Sequence, residues 1–118
     1  MSLMLPKEHR LKKEKDFERV IRQGESHPGS FLVLKFLRNN LRVSRIGFVV
    51  GKKISKKAVA RNKLKRRLRE AAKAYLPKLK SNYDLIFFSR KGSEKEKFSE
   101  IKETIGKLLK KAKLLKND

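Results

Sequence analysis

Val43-Ser44-Arg45-Ile46-Gly47-Phe48-Val49-Val50, the basic run from about Lys57 to Leu76, and Tyr83-Asp84-Leu85-Ile86-Phe87-Phe88-Ser89 together set the architecture. In the first stretch Ile46, Phe48 and Val50 alternate with Gly47, Val49 and Gly51, the period-2 pattern of a strand. The two glycines leave their face bare and predict a surface open to a ligand. In the second, Ala60, Leu64, Leu68, Ala71 and Tyr75 fall on one side of a helix that Pro77 stops. Asn62, Arg66, Arg69 and Lys73 point the opposite way at 100° per residue, and Arg61 and Arg67 flank the apolar stripe. The third stretch reads as another strand. Strand, helix, strand in that order predicts a βαβ unit with parallel pairing and, by default, a right-handed crossover.

Outward from this unit the pattern continues. Phe17, Val20 and Ile21 are spaced as a short amphipathic helix over Asp16–Gln23, with Asp16 as its N-cap and Gly24 as its stop. Glu25 to Ser30 reads as a loop, Phe31–Leu37 as a strand and Arg38–Arg42 as a turn. After Tyr83–Ser89, Ser93 and Glu96 have the spacing of a capping box. A closing helix then follows through Phe98, Ile101, Ile105, Leu108, Leu109, Ala112 and Leu115. The class is α+β or α/β with one small sheet, and the 118 residues read as a single domain. Residues 1–9 are expected to be flexible, with 1–3 preceding a natural start at Met4.

The charge narrows the function. Lys and Arg number 34 against 12 Asp and Glu, a formal net charge of +22. Between Ser26 and Tyr83 seventeen cations face one acid, Glu70. A solvated helix face normally interleaves Glu with Lys, whereas one without acids repels itself unless a polyanion offsets it. Phosphate binding is the reading that follows, with arginine supplying two-pronged contacts and Asn62 able to meet a sugar or base edge. The absence of cysteine and the presence of only His9 and His27 exclude disulfide and Cys/His zinc scaffolds and point to a reducing, cytoplasmic setting. No apolar run approaches the roughly 20 residues of a membrane span. No paired carboxylates or nucleophile–base spacing supports catalysis by the protein. Most of the nine aromatic rings must build the core, and Phe17 is the one assigned to a nucleic-acid surface.

The run Arg61-Asn62-Lys63-Leu64-Lys65-Arg66, preceded by Gly51-Lys52-Lys53-Ile54 and followed by Leu68-Arg69-Glu70, resembles the Arg-Asn-Arg signature of the bacterial ribonuclease P protein family. Arg10-Leu11 leading to Asp16-Phe17 and Gly24, Arg45-Ile46-Gly47, and Tyr83-Asp84-Leu85 resemble that family in order and spacing. The resemblance implies a mixed sheet of three to four strands with three helices in αβββαβα-like order and a left-handed βαβ crossover, against the default hand. It implies a subunit of a ribonucleoprotein endonuclease whose RNA removes the 5′ leader of precursor tRNA with Mg2+, held mainly by the RNA, and no organic cofactor. The partners implied are the ribonuclease P RNA, bound 1:1, and precursor tRNA. Arg61, Asn62, Lys63, Lys65, Arg66 and Arg69 would meet the RNA subunit. Phe17, Lys52, Lys53 and Lys57, with Phe36, Val49 and Arg90, would line a cleft for the leader, and no metal ligand in the protein is named. Two positions depart from the family pattern: Lys63 stands where arginine is common, and Ile21 where a second aromatic is common. The alternatives are a ribosomal or other structural RNA-binding protein and a helix-turn-helix DNA reader. The second needs consecutive helices, whereas the basic helix here lies between strands.

Overall fold

The computed structural model describes residues 5–116. Three helices, α1 (Glu14–Gln23), α2 (Ala58–Lys73) and α3 (Phe98–Lys111), accompany four strands. The strands are β1 (Glu25–Pro28), β2 (Leu32–Arg38), β3 (Arg45–Val49) and β4 (Tyr83–Ser89), and the chain order is α1, β1, β2, β3, α2, β4, α3. They form one sheet in the order β1-β2-β4-β3. β1 pairs antiparallel with β2, β2 antiparallel with β4, and β3 parallel with β4. The parallel pair across α2 is the βαβ unit that the sequence predicts.

Side-chain alternation splits the sheet into two faces. Leu32, Leu34 and Phe36 of β2, Leu85 and Phe87 of β4, and Ile46 and Phe48 of β3 point into the main core with Leu64, Leu68 and Ala71 of α2 and Ile101, Ile105 and Leu109 of α3. Burial of each large side chain of this kind contributes about 1.5–3 kcal/mol. The opposite face carries a smaller cluster of Leu11, Val20 and Ile86, against which Phe17, Leu37, Val49 and Phe88 pack. α1 lies over this face, in contact with β2 and β4.

Several sequence expectations change. Glu25–Pro28 is a strand rather than part of a loop: Glu25 pairs with Phe36 and Pro28 with Val33, and the His27 ring stacks on Phe36 at 5.7 Å. Proline is tolerated there because β1 is an edge strand. Asp16 is not the N-cap of α1, which starts at Glu14; its carboxylate instead accepts a 3.3 Å bond from Arg45 Nη1. The capping box is absent as well, since Ser93 begins a single 3-10 turn, its buried Oγ has no partner, and α3 starts only at Phe98. Ala60 is exposed, so the buried stripe of α2 begins at Leu64. The segment expected to be flexible is packed from Leu5, which is 1% exposed and whose carbonyl accepts from Arg10 Nε at 2.7 Å. Residues 1–4 lie outside the described residues.

Gly24 ends α1 for a steric reason. Its N–H donates to the Val20 carbonyl at 2.8 Å, and a Cβ there would lie 2.5 Å from the Val20 oxygen and 2.7 Å from the Phe36 oxygen. Only glycine lets the chain pass this closely between the end of α1 and the β2 backbone as it enters β1.

Candidate nucleic-acid interface

The α1 face of the sheet is held in place by a buried carboxylate. Asp84, 0% exposed, accepts from Arg45 Nε at 2.9 Å and Nη2 at 2.8 Å, from Arg19 Nη2 at 3.0 Å and from Asn39 Nδ2 at 2.8 Å. The sequence reading placed Asp84 only in the third strand and in the family resemblance; the structure makes it the hub joining α1, β3, β4 and the turn after β2. Burial by itself raises the carboxyl's pKa, but the hydrogen bonds from Arg45 and Asn39 and the Arg45 charge outweigh it and hold the group below its ordinary value. The Asp84 hydrogen bond, in turn, raises the Arg45 guanidinium despite burial.

α1 so anchored covers only part of its face. Phe17 lies directly on Gly47, where a Cβ would fall 2.4 Å from the ring's Cζ. The bare glycine therefore receives Phe17 rather than a ligand, which corrects the open-face expectation at this position. Gly51 does face open space. Gly47→Ala should displace the ring and cost about 1–3 kcal/mol in urea unfolding, as overpacking does. Adding Phe17→Ala should remove most of that extra cost, and strictly additive losses would show that the two positions are not coupled.

Beyond Phe17 the sheet face is uncovered. Val49 and Phe88, neighbours across the β3–β4 pair, form the apolar floor of a groove of about 620 Å³, rimmed by Lys52, Lys53, Arg90 and Lys91. Arg90 is fixed by its N–H to the Phe31 carbonyl at 2.8 Å and by Nη1 to the Gly29 carbonyl at 3.1 Å. An apolar floor with a cationic rim, and no acid among the described residues lining it, can take bases on the floor and phosphates on the rim. Of the seven residues assigned to a leader cleft, the structure brings Val49, Lys52, Lys53 and Arg90 together here. Phe17 packs in the same apolar cluster but lines a neighbouring cavity. Lys57 is exposed immediately before α2 and does not line the groove. Phe36 is a correction: 8% exposed, it points into the main core on the other side of the sheet, between His27 and Tyr83. Sequence reasoning missed Phe88 and Lys91, although their alternation and charge were available once β4 was placed.

The basic helix divides its cations between two directions. Asn62, Lys63 and Arg66 are exposed and, with Val59 and Arg69, line a shallow depression of about 390 Å³. Lys65 and Arg69 turn toward α1 and line a cavity of about 350 Å³ with Arg10, Lys12, Phe17 and Gly47. Arg61 reaches back, Nη1 donating to the Ser55 carbonyl at 2.9 Å, and so stiffens the loop before α2. Ser55 Oγ accepts from the Lys57 N–H at 3.2 Å, an ordinary loop role. Arg67 is spent on the Glu96 carbonyl at 2.9 Å. Lys65, read as facing the RNA subunit, thus shares a cavity with Phe17.

Comparison with known proteins agrees with this geometry. The family model for ribonuclease P matches residues 5–113. The ribonuclease P protein component of Clostridium botulinum strain 657 is 38% identical over 107 residues, 90% of this chain and 96% of the relative. That of Pelotomaculum thermopropionicum is 42% identical over 104 residues, covering 88% and 92%. Among solved structures, the ribonuclease P protein of Staphylococcus aureus superposes with a TM-score of 0.82 at 30% identity over 91% of this chain and 97% of that one. The protein from Thermotoga maritima gives 0.78 at 31% identity over 86% and 96%. With a family model spanning nearly the whole described chain and relatives of matching length, the chain belongs to the ribonuclease P protein family.

Proposed function

We propose that this chain is the protein subunit of ribonuclease P: it binds the catalytic RNA, one to one, through the exposed cations of α2, and holds the 5′ leader of precursor tRNA in the groove floored by Val49 and Phe88. The observation that carries this reading is the separation of two cationic surfaces on one rigid frame, an open apolar-floored groove and the outward face of α2. A single strand suits the first, because unpaired bases can lie on Val49 and Phe88 while Lys52, Lys53, Arg90 and Lys91 neutralise phosphates. The second has no apolar floor of comparable size and suits folded RNA. Phe17 stands between the groove and the Lys65–Arg69 cavity, so a strand leaving the groove would pass it on the way to the RNA subunit.

The protein's own contribution is positioning and charge. Among the described residues no group of three or more His, Cys, Asp or Glu stands together. The reading assigns Mg2+ mainly to RNA phosphates, as the resemblance implies, and gives the protein the role of relieving the repulsion that opposes their close approach. Among the described residues no helix is long and apolar enough to cross a membrane. The cytoplasm is the setting this reading gives a tRNA-processing subunit.

The test is multiple-turnover cleavage of precursor tRNA by a bacterial ribonuclease P RNA at low magnesium, with and without this protein, against a basic RNA-binding protein of similar charge. Restored cleavage with this protein alone, and none without the RNA, supports the reading. Equal rescue by the control would return the ribosomal-type alternative to first place. Phe17→Leu should lower the holoenzyme's affinity for precursor tRNA by about three- to tenfold and leave mature tRNA unaffected, since loss of an aromatic contact to a base is worth about 1–3 kcal/mol at most. Equal losses for both RNAs would remove Phe17 from the leader path.

A further inference from the structure

A second cationic cluster lies at the end of the β3–β4 pair opposite the groove, built by a different part of the chain. Residues 112–116 fold back from α3 onto the turn Leu76–Lys78: the Lys116 N–H donates to the Lys78 carbonyl at 2.6 Å and the Lys80 N–H to the Leu114 carbonyl at 2.8 Å. Leu79 pairs antiparallel with Leu115, and Lys80 Nζ donates to the Lys113 carbonyl at 2.8 Å. These bonds bring Lys78 and Lys113 next to Lys80 and Lys116, which line a cavity of about 220 Å³ with His9, Ser44 and Ser81. No acid occurs between Glu70 and Asp84 or between Glu103 and Asp118. Lys78, Lys113 and Lys116 are exposed, and among the described residues their side chains make no hydrogen bond or ion pair.

The backbone at Lys113 supplies an independent observation. Lys113 has φ of 59°, the left-handed region, immediately after the C-cap Ala112. Its N–H donates to the Lys110 carbonyl at 3.0 Å and the Leu114 N–H to the Leu109 carbonyl at 2.9 Å, the pattern of a Schellman helix end. Glycine is the residue this position favours, because a Cβ crowds the backbone there. A lysine held where glycine would be more stable is strain retained for a charged side chain, and such strain clusters at functional sites.

We propose that Lys78, Lys113 and Lys116 form a second phosphodiester-binding surface that grips a helical segment of the RNA subunit. Resting on the reading of α2 as the face for that subunit, it deepens it. α2 runs from the groove end to this end, and its 16 residues span about 24 Å. One RNA lying along α2 would meet Asn62 and Arg66 first and the lysines last. The cluster is all lysine, without arginine forks, and among the described residues the ring that lines its cavity, His9, is tied by Nδ1 to the Ser44 carbonyl at 2.8 Å, so the cluster suits the charge of a duplex backbone rather than unpaired bases.

The experiment measures affinity of the full chain for the isolated RNA subunit across a salt series, together with thermal melting, for Lys113→Gly, Lys113→Arg, the double variant Lys78→Ala/Lys116→Ala, and Arg66→Ala. Lys113→Gly should melt at the same or a higher temperature, yet bind the RNA subunit about three- to tenfold more weakly, with the log–log salt slope shallower by about one. Lys113→Arg should keep its affinity, the double variant should lose about tenfold or more, and affinity of the assembled holoenzyme for precursor tRNA should stay unchanged. Wild-type RNA affinity in Lys113→Gly and the double variant, with a loss only in Arg66→Ala, would overturn the proposal and leave the α2 reading intact. A loss confined to precursor tRNA would overturn it too. Loss in the lysine variants without any in Arg66→Ala would uphold the surface and sink the α2 reading instead.

Discussion

Asp84→Asn is expected to destabilise the fold by about 3–5 kcal/mol, the scale on which removing one partner of a buried ion pair leaves the others uncompensated. The asparagine fits sterically but cannot balance Arg45 and Arg19, and its amide nitrogen would face donors from Arg45, Arg19 or Asn39. Against a total of about 5–15 kcal/mol for a domain, this should lower Tm by roughly 10–20 °C in a thermal melt. A loss below about 1 kcal/mol would show that the hub does not organise the fold. The pH dependence follows from the direction of the shift. The folded-state pKa of Asp84 lies below the unfolded value of about 4, so its contribution is intact above that pH and disappears as the pH falls through the folded-state value. The variant's unfolding should therefore show a weaker acid dependence than the wild type's in that window. Because Arg19 and Arg45 tie α1 to β3 and β4 through this one carboxylate, the variant should also lose leader affinity before it unfolds.

The second large effect is functional. Replacing Asn62, Lys63 and Arg66 together with Ala is expected to weaken binding of the RNA subunit by about 100- to 1,000-fold at moderate salt. The log–log salt slope should become shallower by roughly two, one for each cation removed. The fold should gain slightly if anything, since alanine is the best helix former and the substitutions relieve like-charge repulsion along α2. Circular-dichroism melts beside salt-dependent binding separate the two effects. An unchanged slope with an undiminished affinity would move the RNA-binding face off these three residues. Arg61 and Arg67 are poor choices for the same test, because their guanidinium groups brace the Ser55 and Glu96 carbonyls and their loss would mix structure with binding.

These two cases mark the limit of local reading. The α2 face could be drawn from the chain alone, because helical periodicity relates residues three and four apart and the charge of each is independent of the rest of the fold. The same holds for the strand–helix–strand unit, for the apolar stripes of α1 and α3, and for the family motif on α2. Asp84 could not be read this way: its partners Asn39 and Arg45 lie 45 and 39 positions away, and only the pairing of β3 beside β4 makes an ordinary strand-end aspartate a buried hub. Phe17 and Gly47, 30 positions apart, meet only once α1 is laid over the sheet, so a glycine that suggested an opening is a socket instead. β1 becomes a strand because β2 offers it a free edge, not because Glu-Ser-His-Pro favours extension.

Phe36 shows the same division within one residue. The family resemblance placed it in the leader cleft, but alternation along β2 turns Leu32, Leu34 and Phe36 to one side and Val33, Lys35 and Leu37 to the other, and a helix pair had to cover the first side before that parity acquired a meaning. Local spacing therefore determined the three helices, the strands β2 to β4 and where the charge lies, since those depend on neighbours in the chain. Which face of the sheet is core, which is covered by α1 and which is left as a groove was decided only by long-range packing, because burial is a property of what lies opposite a residue and not of the residues beside it.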